Sequence, residues 1–287
     1  MQSKIVSNNF ILTLGTAQDG GYPQPGCNES CCNQARKNPS LNRKKASIAI
    51  LAGKNCWLVD ITPDFCSQLN MIKKYVSGDY CLKGIFITHA HIGHYVGLLE
   101  LGLEVMNVDK MPVYVMPRME TFLKGNAPFS QLIQLNNIQL KSIQENVKVN
   151  LDEHLSITPM KVPHRNEYSE TVGFKIQSAN RSLIYISDID SWDIDINGLI
   201  RNNDFLLLDG TFHGSNELRH RNMKDVPHPL IIDSMHEFSV LEEVDRKKVY
   251  FTHLNHTNPV IRMNSPERLE LIANGFHVAE DGMEFTL

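Results

Sequence analysis

The chain has 287 residues, of which 42% are hydrophobic, so it can fill a large core in one domain or in two smaller ones. Its 28 basic and 32 acidic residues leave a net charge of −4, so no global basic field would gather nucleic acid or coat an anionic membrane. The start, MQSKIVSNNFILTLG, lacks the regions of a signal peptide, and no apolar run is long enough to span a membrane. We expect a cytoplasmic globular enzyme with a small-molecule substrate. The sequence leaves open whether it forms a homodimer.

Short apolar runs recur along the chain and predict β-strands. They lie at 10–16, 46–52, 56–61, 84–89, 112–116, 155–162, 172–177, 182–188, 204–210 and 248–253. Most are apolar on both faces, which is typical of central strands covered by helices. Helical patterns lie between them at 65–76, 94–106, 119–125 and 266–275. Because no linker or repeat interrupts this alternation, the sequence predicts one layered α/β domain over residues 1–287.

The stretch FITHAHIGHYVGL, residues 86–98, places His89, His91 and His94 directly after an apolar strand. Three imidazoles so close together at a strand end predict metal ligands. Three later strands also end on such a residue, namely His164 in KVPHRNEY, Asp188 in IYISDID and His253 in VYFTHLNH. A metal needs ligands from several elements, so this repetition favours one metal centre over isolated core histidines.

Three cysteines cluster in the glycine- and proline-rich stretch PGCNESCCNQ, at Cys27, Cys31 and Cys32. In a cytoplasmic protein, clustered thiols indicate metal or redox chemistry more than disulfides. A redox pair, or a metal site that uses only two of the thiols, stays open beside a site that uses all three. The remaining cysteines lie among apolar residues and are predicted to be buried core residues: Cys56, Cys66 and Cys81.

In their order and wide spacing, the motifs THAHIGH, VPH, SD and THLNH resemble the successive metal motifs of the metallo-β-lactamase superfamily. The resemblance covers nearly the whole chain and implies a four-layer αββα sandwich with the metals at one edge. The stretches TLGTAQDGGYPQPGC and HLNHTNP also resemble the branch that contains pyrroloquinoline quinone biosynthesis protein B and the cyclic phosphodiesterase of phosphonate breakdown.

The resemblance implies two adjacent metal sites. The first maps on His89, His91 and His164; the second maps on His94 and His253, with Asp188 bridging the two ions. The family motif has Asp between its second and third histidines, where this chain has Gly93. A glycine offers no ligand, so the second site is expected to be weak, completed by water or empty. Zinc is the default ion, and iron or manganese stays open because imidazole and carboxylate ligands suit all three.

The resemblance also implies further functional residues. Phosphodiesterase and nuclease branches carry a late histidine as general acid, which maps on His228 in KDVPHPLIIDSM; the alternative is a surface histidine between two prolines. Asp209 ends another apolar strand and is a candidate to orient a ligand histidine from behind. The phosphodiesterase relative holds a structural zinc, which implies a closed site at Cys27, Cys31, Cys32 and His256.

These residues predict a metal-dependent hydrolase of phosphodiester or cyclic phosphate bonds. The chemical reason is that a divalent metal lowers the pKa of its bound water to about 7 and polarises the electrophile. Two alternatives stay open: an iron-dependent oxidase or hydroxylase resembling the quinone biosynthesis protein, and a non-catalytic metal-binding protein with a degenerate second site. The loops at 165–170 and 191–198 carry no motif that identifies the substrate.

Overall fold

The structure, a computed structural model, describes residues 9–76, 78–218 and 223–287. Within these residues, two mixed seven-stranded sheets pack face to face, and helices cover the outer face of each. This arrangement confirms the predicted four-layer αββα sandwich. Whether residues 1–287 form a single domain stays a prediction. In the described part of the chain, no helix is both long and apolar enough to cross a membrane.

The first sheet brings three strand ends to one edge. It contains β1 (Phe10–Gly15), β2 (Ser47–Ala52), β3 (Asn55–Val59), β4 (Cys81–Phe86), β5 (Met111–Val115), β6 (Ile138–Ser142) and β14 (Glu284–Thr286), in the order β14-β1-β2-β3-β4-β5-β6. β3 and β4 are parallel, and β2 is antiparallel to both β1 and β3. The carboxyl ends of β1, β3 and β4 therefore lie at the same edge.

The second sheet repeats this feature. It contains β7 (Val149–Asn150), β8 (Ser156–Lys161), β9 (Val172–Gln177), β10 (Ser182–Ile186), β11 (Phe205–Asp209), β12 (Val249–Thr252) and β13 (His277–Val278), in the order β13-β12-β11-β10-β9-β8-β7. β10, β11 and β12 are parallel, and β9 is antiparallel to both β8 and β10. The carboxyl ends of β8, β10, β11 and β12 therefore share an edge.

Apolar side chains fill three layers of core. Phe86, Phe174 and Tyr185 are fully buried between the sheets, where each such side chain contributes about 1.5–3 kcal/mol by leaving water. The helices pack outside the sheets. They are α1 (Ser30–Lys37), α2 (Phe65–Ile72), α3 (Ile92–Tyr95), α4 (Pro117–Gly125), α5 (Phe129–Gln134), α6 (Ile196–Arg201), α7 (Ile231–Glu237), α8 (Glu243–Arg246) and α9 (Pro266–Ala273).

Each predicted strand overlaps an observed one, but the helix predicted over 94–106 is wrong in extent. α3 ends at Tyr95, a 3₁₀ helix continues over Val96–Leu101, and the chain leaves helical geometry at Gly102. The apolar residues beyond Gly102 are exposed, so they do not form the buried stripe that a long helix would need.

The prediction of three buried core cysteines holds only for Cys56. Cys66 and Cys81 are exposed. Cys66 lies on the outer face of α2, whose buried face begins with Phe65, and Cys81 is at the exposed start of β4. Neighbouring apolar residues in the sequence therefore did not show which face each thiol occupies.

Candidate metal centre

The predicted metal residues meet where the carboxyl ends of the strands from both sheets converge. His89, His91 and His94 follow β4, and His164, Asp188 and His253 follow β8, β10 and β12. This position is where α/β sheets ordinarily bind ligands. The ligand atoms form two groups, with all atoms of a group within 4.8 Å of one another: His89, His91, His164 and Asp188 in the first, and Asp19, His94 and His253 in the second.

In the first group, three imidazole nitrogens face one point. His89 Nε2 lies 2.9 Å from His91 Nδ1, and His164 Nε2 lies 3.3 Å from the same His91 atom. His164 donates its other N–H to Asp190 Oδ1 at 2.8 Å, which fixes the ring orientation. Burial lowers the pKa of His89 well below its usual value and that of His91 to about 4. Neutral imidazoles are the form that binds a metal.

The two histidines of the second group face two carboxylates, Asp19 of the same group and Asp188 of the first. His94 Nε2 lies 3.2 Å from Asp19 Oδ1 and 3.4 Å from Asp188 Oδ2. His253 Nε2 lies 3.4 Å from the same Asp188 oxygen. Asp188 Oδ1 lies 3.8 Å from His164 Nε2, so Asp188 directs one oxygen toward each group.

Several polar atoms at this point have unfilled bonding capacity. Within the described residues, Asp19 Oδ1, Asp188 Oδ2 and His253 Nε2 are buried and have no hydrogen-bond partner. Each such atom costs roughly 1–3 kcal/mol in an apolar interior. Burial acts to raise the pKa of Asp188, but His253 and His94 outweigh it and hold that pKa well below its usual value. The ionised carboxylate of Asp188 lies next to a ring nitrogen and a carboxylate oxygen that have no hydrogen-bond partner in the described part of the chain. This arrangement fits the binding of a divalent cation.

Asp60, which directly follows β3, supports the ligands of the first sheet from behind. It is fully buried and accepts from His94 Nδ1 at 2.7 Å and from the Thr88 hydroxyl at 3.0 Å. The Thr88 hydroxyl oxygen in turn accepts a hydrogen bond from the N–H of His89 Nδ1 at 2.9 Å. Both rings therefore carry hydrogen on Nδ1 and present Nε2 to the centre. Asp60 and Thr88 were not predicted from the sequence, although an acidic residue directly after an apolar strand is a usable signal.

Asp209, at the end of β11, supports histidines of the second sheet in a similar way. It accepts from His228 Nδ1 at 2.6 Å and from the Thr211 hydroxyl at 2.7 Å, and Thr211 Oγ1 lies 3.0 Å from His253 Nδ1. Asp209 therefore reaches a predicted ligand histidine through Thr211. The His228 ring lies 5.5 Å from that of His164, and its side chain is only 6% exposed, unlike a surface loop histidine. The catalytic roles of Asp209 and His228 stay predictions.

A cleft of about 470 Å³ opens beside the first group. Its wall includes Arg165, whose Nη2 lies 3.5 Å from His91 Nε2. Phe122 and Tyr168 also line it, with their ring centroids 5.6 Å apart. Arg165 and Tyr168 belong to the loop at 165–170 in which the sequence showed no motif. Their relevance follows only from the fold, which places this loop next to the histidines.

The four residues predicted for a structural zinc also lie together. Cys27, Cys31, Cys32 and His256 offer ligand atoms within 4.8 Å of one another. The first turn of α1 directs Cys31 Sγ and Cys32 Sγ to 3.6 and 3.4 Å from His256 Nδ1, so adjacency in sequence does not prevent both thiols from reaching one point. Burial raises the pKa of Cys32 to about 12. A cation is what would make this thiol a thiolate.

Comparisons with known proteins agree with this geometry. Residues 56–254 match the beta-lactamase superfamily domain. Coenzyme PQQ synthesis protein B from Cupriavidus taiwanensis is 27% identical to this chain, over 96% of this chain and 99% of that protein. The protein of the same name from Nitrosococcus oceani is 28% identical, over 97% of this chain and 100% of that protein.

Two solved structures share the fold. The Zn²⁺-bound PqqB from Methylobacterium extorquens has a TM-score of 0.84 and 24% identity, covering 97% of this chain and 100% of that one. A diphosphatase from the PhnP family has a TM-score of 0.71 and 21% identity, covering 98% of this chain and 97% of that one. The family match spans well over half of the sequence and contains nearly all of the histidine centre. The chain therefore belongs to the metallo-β-lactamase superfamily.

Proposed function

We propose that the chain is a metal-dependent phosphodiesterase that acts on a small molecule. The observation that carries the proposal is the position of Asp188, with Oδ1 3.8 Å from His164 Nε2 and Oδ2 3.4 Å from the Nε2 atoms of His94 and His253. One carboxylate thus joins two sets of ligand atoms. Two divalent cations held there would activate a water molecule and stabilise the charge that develops on a phosphate.

His228 supplies the proton that the leaving group needs. A water molecule that has given one proton to the solvent adds to phosphorus as hydroxide, the bond to the leaving oxygen breaks, and this oxygen takes a proton from the imidazolium Nε2 of His228. Asp209 holds the Nδ1–H at 2.6 Å and so directs Nε2 away from itself. Burial acts to lower the pKa of His228, but the Asp209 carboxylate outweighs burial and raises it, which favours the protonated form that a proton donor needs.

The cleft beside the first group supports a small anionic substrate with a planar or apolar part. The guanidinium of Arg165 is suited to the non-bridging oxygens of a phosphate. Phe122 and Tyr168 offer aromatic faces on the same wall. A cleft of about 470 Å³ suits a small molecule more than a polymer, and the net charge of −4 gives no general attraction for nucleic acid.

The test is a substrate panel on protein loaded with Zn²⁺ or Mn²⁺. We expect hydrolysis of bis(p-nitrophenyl) phosphate and of cyclic nucleotides, with little turnover of phosphate monoesters or carboxylic esters. Asp188→Asn is expected to abolish it, and Asp193→Asn, which changes an exposed carboxylate, is the matched control. Hydrolysis of carboxylic esters alone, or no turnover by protein with its metals bound, would contradict the proposal.

A second candidate is a step in coenzyme PQQ synthesis. It is favoured by the likeness to coenzyme PQQ synthesis proteins B over 96% of this chain. A centre of five histidines and two carboxylates also suits iron, which the oxidative alternative requires. Elemental analysis of protein purified without added metal separates the candidates. Iron at the centre, together with oxygen consumption and no phosphodiester turnover, would favour this second candidate.

A further inference from the structure

Gly93 occupies the position where the family motif has an aspartate ligand. It lies in α3 and is not among the described glycines with positive φ, so backbone conformation does not exclude a side chain there. Space does. A Cβ built on Gly93 would lie 1.9 Å from Asp19 Oδ1 and 2.8 Å from Asp19 Cγ. The volume in which a side chain at position 93 would begin is filled by the carboxylate of Asp19.

Asp19 also points at the atoms that a ligand from position 93 would serve. Its Oδ1 lies 3.2 Å from His94 Nε2, and one of its carboxylate oxygens lies within 4.8 Å of a ring nitrogen of His253. That oxygen is buried and has no hydrogen-bond partner among the described residues. The carboxylate of Asp19 therefore has the position and free lone pairs of a metal ligand.

The loop that carries Asp19 is tied to the segment that carries His253. Gln18 donates its backbone N–H to the Leu254 carbonyl at 3.0 Å, and its side chain donates to Asn255 Oδ1 at 3.2 Å. The same side chain accepts from the Gly20 N–H at 2.6 Å, which closes the turn around Asp19. These backbone and side-chain hydrogen bonds of Gln18 fix the loop that carries Asp19 relative to the segment that carries His253.

We propose that Asp19 is the carboxylate ligand of the second cation, taking the place of the family aspartate, and that Gly93 is the complementary change that makes room for it. The second site then has a full protein ligand set: His94, His253, Asp19 and the bridging Asp188. It is not the weak or degenerate site that Gly93 alone implied. The inference concerns the centre of the proposed function, so its test measures metal binding, independent of turnover.

The test is Mn²⁺ titration of the metal-depleted full chain, followed by calorimetry and by electron paramagnetic resonance for the signal of a coupled manganese pair. Manganese suits the imidazole and carboxylate centre more than the thiol site. The parent protein is expected to bind two ions and to show the coupled signal. Asp19→Asn is expected to weaken only the second ion, by at least about tenfold. Asp193→Asn is the matched carboxylate control.

A second variant tests the space without removing a ligand. Gly93→Ala would place its Cβ against Asp19 Oδ1, so it is expected to weaken the second ion and abolish the coupled signal. Gly125→Ala is the matched control, since no atom of the described residues lies within 4 Å of its Cβ position. Gly93→Asp is expected to behave like Gly93→Ala, and to recover the second ion only in combination with Asp19→Gly and a small shift of the loop, whose Asp19 Cα lies 2.9 Å from the added Cβ.

The outcomes separate this proposal from the proposed function. If Asp19→Asn and Gly93→Ala both retain the second ion at parental affinity, or if Gly93→Asp alone tightens it, Asp19 is not the ligand. A parent that binds one ion at saturating Mn²⁺ overturns the proposal as well. If both variants lose the second ion while no protein hydrolyses a phosphodiester, the ligand assignment stands and the proposed function is wrong.

Discussion

At the end of each sheet, a buried aspartate, a threonine and two histidines form the same hydrogen-bonded unit beside the metal centre. In the first sheet, the buried Asp60 accepts from a threonine hydroxyl that also holds a ligand histidine, and it accepts from a second histidine, His94. In the second sheet, the buried Asp209 does the same with Thr211 and with His228. Both aspartates are 0% exposed. The difference lies in what the second histidine faces.

His94 faces the carboxylates of Asp19 and Asp188, and belongs to a group of ligand atoms. His228 belongs to neither group, although its ring lies 5.5 Å from that of His164. A carboxylate behind Nδ1 raises the pKa of both imidazoles against the effect of burial. One unit can therefore prepare a metal ligand or a proton donor, and the groups opposite Nε2 decide which.

The largest expected effect comes from replacing the second histidine on each side. His228→Ala should lower turnover of a diester with a poor leaving group by about 10²–10⁴, the usual contribution of a general acid, without loss of metal. Turnover of an activated aryl diester should fall far less, because its leaving group needs no proton. His94→Ala should instead lose a cation. Equal losses on both substrates would assign His228 to binding or structure.

The next effect concerns pH. A general acid works while it is protonated, so the rate should hold below the raised pKa of His228 and fall as pH rises through it. Asp209→Asn removes the charge that raises this pKa, so the fall should begin at lower pH than in the parent. The measurement is the pH profile of kcat/KM for parent and variant. An unchanged alkaline limb would mean that another group is the acid.

A smaller effect is expected from the two threonines. Thr88→Val removes the hydroxyl behind His89 in the first group, and Thr211→Val removes the one behind His253 in the second. Each should weaken Mn²⁺ binding at its own site by about 10–100-fold. Thr121→Val, which changes an exposed hydroxyl on α4, serves as the control. If Thr88→Val leaves the ion of the first group at parental affinity, or Thr211→Val leaves that of the second, the hydroxyl does not support its histidine.

The smallest effect on the centre is expected from the cysteine cluster. Cys27→Ser should release about one zinc ion per chain and lower the melting temperature, because structural metal binding is coupled to folding. Mn²⁺ affinity at the histidine centre should stay close to the parent value, since separate hydrogen bonds hold Gln18 and Gly20, the residues on either side of Asp19. Unchanged zinc content and melting temperature would show that this cluster is not a zinc site.

The central strands could be predicted because strands that are buried on both faces are nearly continuous runs of apolar residues. β6, β7, β13 and β14 were missed, since all four are outermost strands of the sheets and are short or partly exposed. The prediction of a long helix over 94–106 was wrong for a related reason. Its apolar spacing is that of a buried stripe, but burial depends on neighbours that are distant in sequence.

The candidate ligands could be predicted because each ends an apolar strand. Asp60 shares this feature, but its value depends on facing His94 and Thr88, which local sequence does not show. Asp19 lies in a glycine-rich turn without any local signal of metal binding. Its possible role as a ligand becomes visible only because its carboxylate fills the space beside Gly93. These two residues lie 74 positions apart in the sequence (93 − 19).

The pairing of Gln18 with Asn255 joins residues 237 positions apart, nearly the whole length of the chain. During synthesis, the turn that carries Asp19 leaves the ribosome early and His253 leaves it late. The second cation therefore has no binding site on a partly made chain, and its loading must follow the meeting of the two ends. Because a bound ion stabilises only the state that binds it, metal supply would favour completely folded molecules over truncated or misassembled ones.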